Sequence, residues 1–220
     1  MAGPAAQLKH EFVQVPIGGA VLEGDLVIPE GARGVVAFAH GSGSGRLSPR
    51  NQYVAEVLQG EGLATLLIDL LTRTEEVADL QTAAYRFDID LLALRVTGTV
   101  DWLADYPTTA DLRIGLFGAS TGAAGALVAA ARRPSLVHAV VSRGGRPDLA
   151  GDDLGMVRAP TLLIVGGNDP EVLRLNREAY EQLKGEKELV VVPGATHLFE
   201  EPGTLEEVAR LAAAWFVSWL

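Results

Sequence analysis

The chain has 220 residues, 48% of them apolar, which is enough to bury one sizeable core, so a single domain over residues 1–220 is expected. Its 28 acidic and 18 basic residues leave a net charge of −10, which repels nucleic-acid phosphates and anionic membrane surfaces and argues against both as partners. With no cysteine, disulfides, thiolate metal sites and a cysteine nucleophile are excluded.

In chain order, residues 1–11 lack an apolar stretch of signal-peptide length. The most apolar later segments are interrupted by Arg132, Arg133 or Arg210, so no membrane span is expected and a cytoplasmic location is the default. Residues 11–15 and 21–28 are short β-branched runs joined across Pro16, Gly18 and Gly19, which predicts an opening hairpin at a sheet edge. Residues 34–39 then form a continuous apolar run, as in a strand buried on both faces. Runs of the same kind recur at 64–68, 112–117, 137–141, 161–165 and 188–192. Helical spacing occupies 51–59, 88–103, 123–132, 172–183 and 205–219. Such alternation implies parallel strands with right-handed helical crossovers on both faces of an open sheet. Ligands of such sheets bind beyond the carboxyl ends of the strands, so chemistry is expected just after each apolar run. Gly98 interrupts a predicted helix at a cost of about 1 kcal/mol relative to alanine, and nothing in the sequence explains it.

Gly118-Ala-Ser120-Thr-Gly122 fits G-x-S-x-G and lies between a predicted strand and a predicted helix. A sharp turn in that setting projects the Ser120 hydroxyl into solvent and aims the positive end of the following helix at it. The alternative is a plain turn with a helix cap. A serine hydroxyl needs a neutral imidazole to remove its proton. Of the four histidines, His10 precedes the first strand, His40 ends one, and His138 sits inside an apolar run. His197 follows the last strand in a loop at the carboxyl edge and is the candidate base. Asp169, directly after the run 161–165, is the candidate acid that would fix the imidazole tautomer. A helix-capping aspartate before Pro170 is the alternative, and Asp148 is the reserve acid. An oxyanion needs two backbone N–H donors. These are expected from Thr121 and from the Gly-rich segment 40–45, at Ser42 with Gly43 as the alternative. His40 either braces that loop or simply ends its strand.

Ser, Asp and His in this chain order, behind a His-Gly loop, resemble the α/β-hydrolase superfamily over almost the whole length. Segments 40–50, 115–125, 143–148 and 193–201 look like the dienelactone hydrolase-like group, which includes small proteins found alone or fused to phosphoribosyltransferase domains. The resemblance implies an α/β-hydrolase fold: a mostly parallel sheet of about eight strands with helices on both faces. Dienelactone hydrolases use a cysteine nucleophile, so this chain would be a serine variant. Only residues 142–159 join the sixth and seventh strands, where many members carry a helical lid, so no large lid and a small, short-acyl ester substrate are expected.

Arg46, Arg50, Arg73, Arg143 and Arg146 all fall in loops predicted at the carboxyl edge. Arg46 and Arg143 are candidates for holding a substrate carboxylate or phosphate. Pairing of these arginines with acids such as Glu75, Glu76, Asp148 or Asp152 is the favoured alternative. The spacing in 40–45 is not that of a dinucleotide loop, and there is no clustered metal-ligand motif, so neither a metal nor an organic cofactor is expected. The predicted activity is small-ester hydrolysis through an acyl-enzyme. The alternatives are a non-catalytic ligand-binding protein of the same fold, or an acyltransferase, lactonase or thioesterase using the same residues. Trp102, Trp215 and Trp219 are read as core or interface contacts, compatible with a monomer or a homodimer through the C-terminal helix.

Overall fold

The computed structural model describes residues 7–220; residues 1–6, part of the N-terminal segment read above, lie outside the described residues. Strands β1 (Leu8–Ile17) and β2 (Ala20–Pro29) form the expected hairpin, in unbroken antiparallel register from Leu8↔Pro29 to Ile17↔Ala20. Gly18 and Gly19 make its two-residue turn with φ of 57° and 83°, the backbone that a right-twisted hairpin requires and that glycine adopts without strain. Val13, Val15 and Ile17 alternate inward, so one face of the hairpin is buried.

Six further strands complete one sheet in the order β1-β2-β4-β3-β5-β6-β7-β8. They are β3 (Gly34–Ala39), β4 (Ala64–Ile68), β5 (Arg113–Ala119), β6 (Val137–Arg143), β7 (Thr161–Gly166) and β8 (Lys187–Val192). β2 meets β4 antiparallel, and every pairing from β4 to β8 is parallel. β3, β4 and β7 are buried at every position, which is why they read as unbroken apolar runs rather than alternating ones. One face is covered by α3 (Ile89–Asp105) and α4 (Thr121–Arg132), through Leu92, Val96, Val100 and Leu127. The other is covered by α1 (Pro49–Gly60) and α6 (Thr204–Trp219), through Val54, Leu58, Val208 and Phe216. α5 (Pro170–Gln182) links β7 to β8.

The Gly98 puzzle is resolved by packing. A Cβ there would lie 2.5 Å from Cγ2 and 3.0 Å from Cγ1 of Ile17, so α3 crosses the hairpin end at a distance only glycine permits. A helix absent from the sequence reading, α2 (Arg73–Thr82), precedes α3. It buries only Asp79 and has no apolar stripe, and its start is set by a capping box in which Thr72 and Glu75 exchange side chain to backbone bonds. β6 and β7 are joined by a short 3₁₀ segment, Pro147–Met156, packed beside α4 and α5, so no lid domain is inserted there. Trp215 packs with Trp219, 6.1 Å between ring centroids, against the α1 and α6 side of the core, and Trp102 stacks on Tyr106 at 4.2 Å.

Candidate active site

β5, β6 and β7 extend beyond the predicted apolar runs, to Ala119, Arg143 and Gly166, and the candidate residues hang from those extensions. Ser120 takes φ 50° and ψ −123° between β5 and α4, a backbone that an L-residue adopts only at a cost of about 1–3 kcal/mol. Its neighbours show why the turn is built from small residues. A Cβ on Gly118 would fall 2.4 Å from Ala123 Cα, and one on Gly122 would fall 2.2 Å from the Ala39 carbonyl oxygen and 2.4 Å from that of His40. The turn is anchored by Ser120 N–H donating to Arg143 O at 3.3 Å and Arg146 N–H donating to Ser120 O at 3.0 Å. Ser120 makes no side-chain cap to α4, so the bland reading as a helix cap does not apply.

Asp169 likewise makes no cap to α5 although it occupies the N-cap position; its Oδ2 accepts from His197 Nδ1 at 2.7 Å. The carboxylate therefore fixes the proton on Nδ1 and leaves Nε2 with its lone pair, the form a general base requires. Gly166 lets the β7 end and the β8–α6 loop approach, since a Cβ there would lie 2.4 Å from Ala195 O and 2.7 Å from Thr196 O. His197 is also close to the turn that carries Ser120. The Cβ position of Gly144, next to the residue that receives the Ser120 amide, is 3.1 Å from His197 O and 3.6 Å from its Nδ1. Among the described residues Ser120 Oγ is not hydrogen-bonded to the imidazole, a contact that in such enzymes often tightens only with substrate. Asp148 is not available as the acid, because it is held in a two-pronged pair by Arg146 at 2.8 and 2.7 Å.

The loop carrying Ser42 is brought to Ser120 as expected. Gly41 is close enough that a Cβ would sit 2.9 Å from Ser120 Cβ, and Ser42 Oγ shares a 3.0 Å hydrogen bond with Thr121 Oγ1. The loop's own backbone bonds run from Ser44 to Gly41 and from Ser48 to Gly45, while the Thr121 amide opens α4 without an intrahelical acceptor. Gly43, the alternative donor, has φ 68°. His40 braces this loop: Nε2 accepts from Leu70 N–H at 2.9 Å, so the proton is assigned to Nδ1, which faces Gly41 O at 3.0 Å. Burial drives its pKa below the ordinary histidine value, keeping it neutral.

Three supports of the loop were missed by the sequence reading. Asp69, just past β4, accepts the Arg46 N–H at 2.7 Å. Buried Asp79 accepts the Tyr85 and Arg86 amides and Arg86 Nε, at 2.8, 2.9 and 2.7 Å. The Arg86 carbonyl so positioned accepts from Ser42 Oγ at 3.0 Å. The position of Asp69 after an apolar run was a usable signal; α2, which carries Asp79, gave none.

The two arginine candidates separate. Arg46 is corrected: it is drawn into ion pairs within the protein, to Asp25 at 2.9 Å, Asp69 at 3.1 Å and Glu23 at 3.2 Å, so three carboxylates already surround its charge and a substrate anion would have to compete with them. Arg143 is buried, its Nε has no hydrogen-bond partner, and its guanidinium lies 5.9 Å from the Phe199 ring. Burial, with the charge of Arg50 adding to it, lowers its pKa to about 10, so it remains a cation at neutral pH. Among the described residues no group of three or more His, Asp or Glu side chains is placed to hold a metal ion, and no helix is long and apolar enough to cross a membrane.

A parallel sheet with its antiparallel edge hairpin, a strained serine at the β5 end, and an acid and a histidine after β7 and β8 define an α/β-hydrolase fold. Residues 22–219 match the model of the dienelactone hydrolase family, and the chain belongs to that family. A crystal structure of dienelactone hydrolase from Anabaena variabilis is 61% identical over 97% of this chain and 99% of its own, with a TM-score of 0.96. Two curated proteins of Mycobacterium tuberculosis named "Putative phosphoribosyl transferase" are 61% identical over 213 residues, 97% of this chain but 47% of theirs. The chain thus spans about half the length of the curated relatives it matches. Est1E from Butyrivibrio proteoclasticus is 17% identical and shares the fold, with a TM-score of 0.78 over 94% of this chain and 98% of that one.

Proposed function

We propose that the protein is a serine hydrolase of small carboxylic esters, with Ser120 as nucleophile, His197 as general base and acid, and Asp169 orienting the imidazole. The observation that carries this is the 2.7 Å bond from His197 Nδ1 to Asp169, made by an aspartate that forgoes capping its own helix, beside a serine held at positive φ. In the proposed cycle Nε2 takes the Ser120 proton as Oγ adds to the ester carbonyl. The oxyanion is received by the Ser42 and Thr121 amides. Collapse of the intermediate returns the proton to the leaving alcohol and leaves an acyl-serine, which water activated by the same imidazole then hydrolyses. The short 3₁₀ connection between β6 and β7 supports a small rather than a long-chain acyl group.

Lactones, thioesters and non-water acceptors use the same machinery, so the test is a screen over small esters, lactones and thioesters, run in parallel with Ser120→Ala. Turnover of a short-chain ester that Ser120→Ala abolishes is expected. Preference for the longest acyl chain, or equal turnover by Ser120→Ala, would overturn the proposal. The net charge of −10 supports a small-molecule substrate over nucleic acid or membrane, and cytoplasmic residence as a monomer or homodimer belongs to the same proposal.

A further inference from the structure

The turn that follows β6 touches the elements that carry all three proposed reacting groups. It holds Ser120 by two backbone bonds, Ser120 N–H donating to Arg143 O at 3.3 Å and Arg146 N–H donating to Ser120 O at 3.0 Å. Gly144, at φ 50°, leaves 3.1 Å between its Cβ position and His197 O. Gly145 is wedged in the same way, since a Cβ there would overlap Ser142 Oγ and lie 2.6 Å from Ala123 Cβ of α4. Two adjacent glycines leave this turn a wide choice of backbone conformations, so its position depends on what holds it from outside.

Asn176 of α5 supplies such a hold. Its Nδ2 donates to Gly145 O at 2.9 Å and to Val172 O at 2.8 Å. Both neighbours are carbonyl oxygens, which fixes the amide with its NH2 toward them. Asn176 lies in the middle of the buried stripe of α5, between Val172 and Ala179, and is fully buried. That is a poor place for an asparagine. Its helix propensity is below that of alanine or leucine, and its buried Oδ1 has no hydrogen-bond partner among the described residues. An apolar side chain would fill the stripe without either cost, but it could not bond Gly145. α5 also begins at Asp169, its N-cap residue, and Asn176 stands about two turns further along the same face. One helix thus carries the partner of His197 at its start and the hold on the Ser120 turn at its middle.

We propose that Asn176 is a positioning residue: by pinning Gly145 to α5 it sets the turn under Ser120 at a fixed distance from the Asp169–His197 pair. The clamp stands on geometry alone; that it governs turnover rests on the hydrolase proposed above.

Asn176→Leu keeps the branched shape of the side chain and removes the donor, and two measurements on it separate these claims. In hydrogen exchange, the amides of Ser120 and Arg146 should exchange at least about tenfold faster than in the parent, with the amides of β3 unchanged. In kinetics with p-nitrophenyl acetate, counted per site that a fluorophosphonate labels, kcat should fall about 10–100-fold with KM within about threefold, the size of loss that a misplacement of about 1 Å produces. Unchanged exchange at the two amides overturns the clamp. A kcat per labelled site within about twofold of the parent, with only Tm lowered, is what a purely structural asparagine would give, and overturns the positioning role. If Asn176→Leu does not fold, Asn176→Ala, which also lacks the donor and adds no bulk, is read in the same way. Loosened Ser120 and Arg146 amides in a protein whose parent turns over no ester would sink the hydrolase while leaving the clamp standing.

Discussion

Replacing Asp169 by asparagine keeps the size of the side chain and removes its charge, so it tests what the carboxylate does for His197. In the proposed reaction the imidazole becomes a cation during attack beside that carboxylate, whose N···O contact with it is 2.7 Å. With charge centres about 4 Å apart and an effective dielectric of about 20, the attraction is roughly 4 kcal/mol. His197 is 39% exposed on its side chain, and solvent screening trims this to about 3 kcal/mol, or a factor of roughly 10² in rate. A second effect adds to the first. The amide of the variant can donate to Nδ1, moving the imidazole proton onto Nε2, where it blocks the base. Together the two predict a fall in kcat/KM of about 10²–10⁴, measured with p-nitrophenyl acetate at neutral pH, with circular dichroism unchanged. A loss smaller than about tenfold in a folded variant would refute the assignment of Asp169 as the orienting acid.

Gly122→Ala drives a methyl group against the backbone oxygens of Ala39 and His40, which cannot yield as side chains do, and should cost at least about 3 kcal/mol, seen as a Tm lower by roughly 6 °C or more. Gly98→Ala has opposite signs in two backgrounds. With Ile17 present the clash should outweigh the helix propensity gained, whereas on Ile17→Ala the same change should stabilise by about 1 kcal/mol in urea titrations. His40 is held neutral by burial, with a folded pKa depressed below the unfolded one. Its contribution is therefore present above about pH 6.5 and lost as pH falls through the folded value. The slope of Tm against pH between 6.5 and 5 should be shallower in His40→Gln than in the parent; an unchanged slope counts against the brace.

Strands buried on both faces were the most legible elements, because their apolar runs have no other use: β3 and β4 match the runs read at 34–39 and 64–68. The ends of β5, β6 and β7 were not, since Gly118, Ser142, Arg143 and Gly166 interrupt the apolar pattern while their backbones remain paired. α2 carried no periodic signal because it packs through a capping box, Asp79 and an ion pair between Glu75 and buried Arg95 rather than through an apolar stripe. In the site, Ser120, Asp169 and His197 could be singled out because each follows a recognisable strand. The state of the arginines could not be read, because pairing joins residues far apart in sequence: Arg46 reaches Asp25 and Asp69, and Arg143 is left alone only because β6 carries it into the layer under Phe199.

The proposal that Ser120 is the nucleophile is tested most directly by a fluorophosphonate probe, followed by intact-mass and peptide mapping. One adduct per chain on Ser120, absent in Ser120→Ala and strongly slowed in His197→Ala, is the predicted result. An untouched Ser120 in folded protein, or labelling at the same rate without His197, would contradict it.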